Sequence, residues 1–239
     1  MAKLKKHHQW WETNIGTDLR GIRIPGPEEW GRYMANSQHA DRKLMRARID
    51  KSCKTLLDVG CGACEELKGL KEDGFDDMKY TGVDVTPKLV DYWKAQGVNI
   101  VQADCEELPF EDSSFEVTTA RHIIEHMPTF EKPLEEWIRV TKNKILICFF
   151  NGPIGPDGFN TDSHGNWIDN DEKFSEKFSK ATDDLISCDP NDFNCYSNWY
   201  HKGNIEKFLE NHSKVQSFEF LPTAPTSTSM LEIILEKFK

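Results

Sequence analysis

The middle of the chain alternates short apolar runs with stretches of helical spacing, a pattern typical of strands and helices that follow one another. The runs at Thr55–Val59, Lys79–Val85 and Asn99–Gln102 predict the first three strands. Phe115–Ala120 predicts a fourth strand, and the continuous apolar run Lys144–Phe150 predicts a fifth that is buried on both faces. Strands that alternate with helices imply βαβ units and a parallel sheet.

Helices flank and separate these strands, and two further strands follow. The predicted helices are Asn36–Ile49, Cys64–Lys71, Pro87–Gln96, Glu131–Thr141 and His201–Asn211. Val215–Leu221 and Met230–Phe238 are predicted to form an antiparallel pair. The expected fold class is therefore α/β, with a doubly wound, mostly parallel, Rossmann-like sheet of seven strands and an antiparallel C-terminal strand.

Two regions lie outside this alternation. Residues 1–50 are predicted to be an N-terminal helical extension that caps the main domain, which spans 51–239. After the fifth strand, the segment at about 151–198 is rich in Asn, Asp, Gly, Pro and Ser, yet it carries several aromatic residues. It is too long for a plain connection, so it is predicted to be an insertion that acts as a lid.

Composition argues against some classes of function. The 239-residue chain has a net charge of −10, whereas proteins that grip phosphate backbones rely on clustered Lys and Arg. The basic residues Arg42, Lys43, Arg46 and Arg48 are interpreted as the solvated face of a helix. No apolar run approaches the ~18 residues that span a bilayer, and the N-terminus does not resemble a secretory signal. The seven cysteines are interpreted as reduced thiols, so the expected location is the cytoplasm.

The main chemical signal is the run Leu56–Cys64, in which a strand leads through Gly60 and Gly62 into a helix. Such a turn lets a ligand approach the backbone closely, where amide groups point outward. A dinucleotide site of the form G-x-G-x-x-G needs a small residue at the third glycine position, which is Glu65 here. Asp58 favours a cationic ligand that carries an amino acid over a pyrophosphate, which it would repel.

Polar residues also end the strands that follow. Asp84 lies 22 residues after Gly62 at the end of the second strand, where a carboxylate can accept both ribose hydroxyls. Asp104 follows the third strand and can accept a hydrogen bond from an adenine amino group. The fourth strand ends at Ala120–Arg121–His122. We expect these residues to lie together, because open α/β sheets bind ligands at the carboxyl ends of their strands.

The run Leu56–Cys64, followed by Asp84 and by Asp104 with Leu108–Phe110, resembles the class I S-adenosylmethionine-dependent methyltransferases. It looks closest to the small-molecule branch called methyltransferase type 11, over roughly residues 54–150. The resemblance implies S-adenosylmethionine as cofactor, S-adenosylhomocysteine as product, and an enzyme that methylates a small molecule on oxygen or nitrogen without a metal. Where the family usually has a third small residue in the loop, this sequence has Cys64, which is small enough for the loop to form.

The resemblance also implies roles for individual residues. Those expected to bind the cofactor are Asp58, Gly60, Cys61, Gly62, Asp84, Val85, Asp104, Cys105, Ala120 and Arg121. The glycine loop would lie against the methionine part, and Asp84 would bind the ribose. Asp104 and the Cys105 backbone would bind adenine, and the backbone of Ala120–Arg121 would face the methionine end near the transferred methyl group.

Two histidines are the candidate catalytic residues. His122 is near the predicted methyl group, and His164 is in the irregular segment after the fifth strand. Methyl transfer from a sulfonium requires that the acceptor, the methyl group and the sulfur be aligned. It requires a general base only if the acceptor must lose a proton. His126 is interpreted as packing against, or capping, the next helix. Cys61 and Cys64 have the spacing of a redox pair or half a zinc site, but the sequence lacks the other half, so no metal is predicted.

Two other classes of function stay open. One is an NAD-linked Rossmann oxidoreductase, against which Asp58 and Glu65 argue. The other is a non-catalytic module that retains the cofactor pocket as a scaffold. The expected partner is a small-molecule methyl acceptor rather than a nucleic acid or a membrane. Neither the acceptor nor the oligomeric state follows from the sequence.

Overall fold

The computed structural model describes residues 8, 11–12, 27–28, 36–150, 185–186, 198–222 and 229–236. His164 and almost all of the predicted lid at about 151–198 lie outside these residues, as does most of the predicted extension before residue 36. Within the described ranges, no helix is long and apolar enough to cross a bilayer.

A mixed sheet forms the centre of the domain. The described strands are β1 (Thr55–Val59), β2 (Lys79–Asp84), β3 (Ile100–Gln102), β4 (Phe115–Arg121), β5 (Thr141–Cys148), β6 (Leu185–Ile186), β7 (Asn198–Trp199), β8 (Val215–Pro222) and β9 (Ser229–Leu235). All except β6 and β7 belong to one sheet of seven strands, and β6 and β7 pair with each other.

The order of strands across the sheet is β3–β2–β1–β4–β5–β9–β8. The first five are parallel, β9 is antiparallel to β5, and β8 is antiparallel to β9. The predicted doubly wound α/β fold is therefore confirmed. The winding direction reverses between β1 and β4, which pair with Val59 opposite Ala120. Such a reversal opens a crevice at the carboxyl ends of the two strands, where doubly wound proteins bind ligands.

Helices cover both faces of the sheet. They are α1 (Ala40–Ala47), α2 (Glu65–Glu72), α3 (Pro87–Ala95), α4 (Glu131–Val140) and α5 (Lys202–Glu210), with a short 3-10 helix at Ile124–His126. Successive strand residues point to opposite faces. Leu56 accordingly belongs to the apolar cluster under α1, α2 and α3, and Leu57 to the cluster under α4 and α5. The fully buried Trp137 of α4 is the largest side chain of the second cluster.

The fifth strand differs from its predicted bounds of Lys144–Phe150. It begins at Thr141 because α4 passes into it without a loop, and the Thr141 hydroxyl lies 2.6 Å from the Thr118 hydroxyl on β4. It ends at Cys148, and Phe150 beyond it is 39% exposed. The apolar run Lys144–Phe150 contains most of the buried residues of this segment, whereas strand pairing includes the polar residues from Thr141. The predicted bounds of the strand were therefore wrong.

α1 packs on α2 through buried charges. Arg46 is 1% exposed, and its guanidinium lies 2.5 Å from Asp73 and 3.5 Å from Glu66. Arg42 lies 3.1 Å from Glu66. A Cβ on Gly69 of α2 would lie only 2.2 Å from the Arg46 guanidinium, so glycine is what lets the two helices approach. The interpretation of Arg42 and Arg46 as a solvated helix face is therefore wrong.

Candidate functional site

The loop between β1 and α2 leaves its backbone open at the crevice. Gly60 and Gly62 adopt the left-handed region, with φ of +65° and +50°. A Cβ on Gly62 would meet nothing closer than 3.9 Å, so open space faces this residue. A Cβ on Gly60 would lie 2.1 Å from Ile123, which packs over it from the segment after β4. The loop thus offers bare backbone to a ligand at Gly62, while Gly60 makes room for Ile123.

Cys64 closes this loop and precedes α2. It has φ of 52° and ψ of 30°, a left-handed conformation that costs a residue with a Cβ roughly 1–2 kcal/mol. Its sulfur lies 3.8 Å from that of Cys61, and both side chains are buried. Burial raises the pKa of the Cys61 thiol well above its usual range. In the described part of the chain, neither cysteine belongs to a group of three metal-ligating residues. The loop thus forms with a buried cysteine at position 64, where a glycine would adopt the same backbone conformation without strain.

Asp58 lies at the base of the loop on β1 and is 5% exposed. The Tyr80 hydroxyl donates to its Oδ2 at 2.8 Å, and the Thr119 hydroxyl donates to its Oδ1 at 3.2 Å. Burial, helped by the charge of Glu66, raises the pKa of Asp58 to about 7 in spite of these hydrogen bonds. A cation placed beside Asp58 would favour its ionised form.

Asp84 connects the end of β2 to the glycine loop. Its Oδ2 accepts the N–H of Gly62 at 3.0 Å, and its Oδ1 accepts the N–H of Thr86 at 2.9 Å. Burial raises the pKa of Asp84, and these hydrogen bonds oppose the shift. The Thr86 hydroxyl and the Val85 N–H also donate to this carboxylate, which fixes its orientation at the end of β2. Val85 follows β2, and its carbonyl accepts the side-chain amide of Gln102 at 3.4 Å.

Asp104 and Cys105 follow β3 at the same edge of the sheet. Asp104 Oδ1 accepts the N–H of Glu106 at 3.0 Å. The same oxygen lies 3.8 Å from Nε2 of His8, a buried residue of the N-terminal extension. The Cys105 carbonyl accepts the indole N–H of Trp137 at 3.2 Å. The backbone around Cys105 is therefore anchored to the core by α4.

The extension reaches this edge at two further points. Lys88, at the start of α3, donates to the backbone carbonyl of Glu12 at 2.7 Å. Trp11 packs edge-on against His126, with 4.9 Å between ring centroids. Residues of the extension thus contact the segments that follow β2, β3 and β4.

The end of β4 holds Ala120, Arg121 and His122 beside the crevice. Asp41 of α1, which is 0% exposed, accepts a hydrogen bond from Arg121 Nε at 2.8 Å. The same carboxylate oxygen lies 3.5 Å from His122 Nε2. Burial alone would raise the pKa of Asp41, but the interactions with His122 and Arg121 hold it well below its usual range. Burial lowers the pKa of His122 to about 4 despite Asp41, so this imidazole is neutral at pH 7.

His122 also faces the end of β5. Its φ of 57° is unusual for a residue with a Cβ, and its N–H donates to the Cys148 carbonyl at 2.8 Å. Its ring packs edge-on against Phe150, with 5.5 Å between centroids. An imidazole and an exposed aromatic ring therefore lie together at the carboxyl ends of β4 and β5.

The sequence-predicted residues that the structure describes thus lie along one edge of the sheet, and His164 lies outside the described residues. Sequence reasoning missed Asp41 and His8, which come from the segment before β1 and contact Arg121 and Asp104. The sequence around Asp41 offers only one signal, an acid in the first turn of a helix. That is a common feature of helices without any functional role.

Comparison with known proteins identifies the domain. A family model described as a methyltransferase domain matches residues 57–149, from within β1 to one residue beyond β5. Solved structures of S-adenosylmethionine-dependent methyltransferases share the fold. Residues 57–149 match a methyltransferase domain, and they have the fold of the S-adenosylmethionine-dependent methyltransferases. The predicted family and its cofactor are therefore confirmed.

Relatives of the methyltransferase domain differ in how much of the chain they match. The sterol 4-C-methyltransferase strm-1 of Caenorhabditis elegans is 33% identical over 94 residues, which cover 36% of this chain and 27% of that protein. The ubiquinone/menaquinone biosynthesis C-methyltransferase UbiE of Citrifermentans bemidjiense is 29% identical over 130 residues, which cover 48% of this chain and 55% of that protein. The chain thus spans about half the length of these relatives or less.

A solved S-adenosylmethionine-dependent methyltransferase from Thermotoga maritima matches nearly the whole methyltransferase fold. Its TM-score is 0.58, and the match covers 95% of this chain and 99% of that chain at 12% sequence identity. At this identity the likeness shows the fold alone.

The crevice of the methyltransferase domain fits the cofactor of the family. S-adenosylmethionine has a sulfonium cation beside its amino-acid tail and a ribose with two hydroxyls. Bare backbone at Gly62 follows Asp58 along the chain and donates its N–H to the carboxylate of Asp84. Carboxylates favour nearby cations and accept hydrogen bonds from hydroxyls, so these residues match the cationic part and the ribose of the ligand.

Proposed function

We propose that the chain transfers a methyl group from S-adenosylmethionine to a small-molecule acceptor. The observation that carries the proposal is the hydrogen bond from the Gly62 N–H to the Asp84 carboxylate. It holds the open glycine loop and the acidic end of β2 in one arrangement, so a nucleoside with an amino-acid tail can contact both at once. The family match over residues 57–149 supports a methyl donor rather than a dinucleotide.

In this proposal the cofactor extends along the carboxyl ends of β4, β1, β2 and β3. The residues that contact it, from the methionine end to the adenine end, are Ala120, Arg121, Asp58, Gly60, Cys61, Gly62, Asp84, Val85, Asp104 and Cys105. The methionine end then lies at the crevice between β1 and β4. Adenine lies beside Asp104, under the residues of the N-terminal extension.

The bound cofactor supplies an electrophilic methyl group on a sulfonium. The protein aligns the acceptor with that group and excludes water, and alignment alone can lower the barrier by ~7–11 kcal/mol. His122 is the proposed catalytic residue at the crevice. Because its pKa of about 4 makes it neutral but weakly basic, it orients the acceptor by accepting a hydrogen bond from it.

The regions beside the domain have proposed roles as well. We propose that residues 1–50 cap the domain of 51–239, which the contacts of Trp11 and Glu12 with His126 and Lys88 support. The segment at about 151–198, with His164, stays a proposed lid over the acceptor. The two relatives compared above, strm-1 and UbiE, are both named C-methyltransferases. The acceptors assayed should therefore include molecules that are methylated on carbon as well as on oxygen or nitrogen.

Calorimetric titration of S-adenosylhomocysteine tests the proposal. The wild type is expected to bind, and Asp84→Ala is expected to lose affinity by about tenfold or more, the cost of a hydrogen bond to a charged group. Asp91→Ala removes an exposed acid on α3 and should bind as the wild type does. NAD serves as the competing ligand in a thermal-shift assay. A wild type that does not bind S-adenosylhomocysteine, or equal binding by Asp84→Ala, would overturn the assignment.

A further inference from the structure

Asp41 joins three basic side chains above the crevice. Its Oδ2 lies 2.8 Å from Arg121 Nε and 3.5 Å from His122 Nε2, and its Oδ1 lies 2.5 Å from His39 Nδ1. Asp41 is fully buried, although it comes from α1 rather than from a strand of the sheet. The carboxylate thus reaches the end of β4 from outside the sheet.

The pairing of β1 with β4 sets Arg121 beside the glycine loop. Val59 is opposite Ala120, so the next residues along the two parallel strands are Gly60 and Arg121. The side chain of Arg121 is only 14% exposed, and a guanidinium in a protein stays charged. Water and salt therefore screen its positive charge poorly. A sulfonium brought to the same crevice would be repelled by this arginine if the arginine were unpaired.

We propose that Asp41 is a positioning residue that cancels the charge of Arg121, so that the crevice can hold the cationic sulfur of S-adenosylmethionine. The inference rests on the proposed function, since it takes the methionine end to lie at the end of β4. The neighbouring charges do not replace Asp41, because Arg42 and Glu66 pair with each other at 3.1 Å. His122 is neutral and adds no charge.

A purely structural role for Asp41 predicts a different result. If Asp41 only fastened α1 to β4, its loss would weaken every ligand of the crevice alike. If it cancels a charge, its loss would weaken the cationic S-adenosylmethionine more than S-adenosylhomocysteine, whose sulfur is neutral. The ratio of the two dissociation constants therefore separates the two roles.

Calorimetry with both ligands on three variants tests the inference. Asp41→Asn should raise the Kd of S-adenosylmethionine about tenfold more than that of S-adenosylhomocysteine, which corresponds to about 1.4 kcal/mol. Arg121→Gln removes the positive charge that Asp41 cancels and should shift the ratio the other way. The double variant Asp41→Asn/Arg121→Gln should return the ratio close to the wild-type value, because neither charge remains.

Asp73→Asn is the matched control. It removes one of the two acidic partners of Arg46 and loosens α1 on α2 away from the crevice, so it should affect both ligands equally. Equal weakening of both ligands by Asp41→Asn would overturn the inference, as would an unchanged ratio in Arg121→Gln. The ratio in Arg121→Gln tests the inference even if Asp41→Asn does not fold. A wild type that binds neither ligand would instead overturn the proposed function.

Discussion

The indole N–H of Trp93 on α3 donates a 2.8 Å hydrogen bond to the carbonyl of Gly62. Gly62 donates its own N–H to Asp84, so α3 and the end of β2 hold the same residue from two sides. Glycine without such partners samples many backbone conformations. The two hydrogen bonds therefore fix the backbone that the proposed function places against the cofactor.

Replacing Trp93 with Phe is expected to weaken S-adenosylhomocysteine binding while the fold persists. The variant loses a single hydrogen bond, worth about 1 kcal/mol, and its Kd should rise about fivefold because the loop must be ordered on binding. Calorimetry measures the effect. Tyr92→Phe changes the adjacent aromatic residue of α3 and should leave the Kd unchanged. Equal losses in the two variants would contradict a specific role for the bond to Gly62.

Gly60→Ala should destabilise the protein more than an alanine at another glycine with positive φ. At Gly60 the new Cβ would lie 2.1 Å from Ile123, so about 1–3 kcal/mol of overpacking adds to roughly 1–2 kcal/mol of backbone strain. At Gly97, with φ of +77°, nothing lies within 4 Å and only the strain applies. Urea unfolding measures both variants. Similar losses of unfolding free energy would show that Ile123 yields without cost.

Local patterns explain why much of the sheet edge could be predicted from the sequence. The bounds of β1 agree residue for residue with the predicted Thr55–Val59, because a short apolar run ends there at a glycine. β2 ends at Asp84 and β3 at Gln102, close to their predicted ends, because each apolar run stops there at a polar residue. Once the strands are known to be parallel, their carboxyl ends must lie together.

Contacts between distant segments explain what the sequence could not show. Asp41 contacts Arg121, and His8 contacts Asp104. Both contacts depend on how the chain before β1 packs on the sheet, which the hydrophobic pattern of the sequence does not predict. The burial of Arg46 likewise depends on the absence of a side chain at Gly69 on another helix. A charge pattern along one helix does not reveal what lies opposite it.

Arg46→Met should therefore cost far more stability than a surface substitution would. The change leaves the buried Glu66 with one fewer cationic partner, and breaking a buried ion pair typically costs about 3 kcal/mol. Arg48→Met, whose side chain is 37% exposed and 3.3 Å from Glu232, should cost less than about 1 kcal/mol. Chemical denaturation compares them. Equal small losses would restore the interpretation of both residues as a solvated face.

The carboxyl of Asp58 should make the folded protein less stable as the pH rises from about 4 to 7. Its pKa of about 7 in the folded state exceeds that of an unfolded aspartate, ~3.9, so between these values the folded chain binds the extra proton. The contribution of Asp58 to stability is then fully present below the unfolded pKa and is lost as the pH rises through the folded pKa. The loss is on the order of a few kcal/mol, at 1.36 kcal/mol per pKa unit.

Asp58→Asn isolates this contribution, because its amide is neutral at every pH and can still accept a hydrogen bond from Tyr80. The free energy of unfolding of the wild type minus that of the variant should fall between pH 4 and 7. Asp41 and His122 titrate in both proteins, and their contributions therefore cancel in the difference. A flat difference curve would mean that Asp58 ionises in the folded chain as it does in the unfolded one. The hydrogen bonds from Tyr80 and Thr119 would then outweigh its burial.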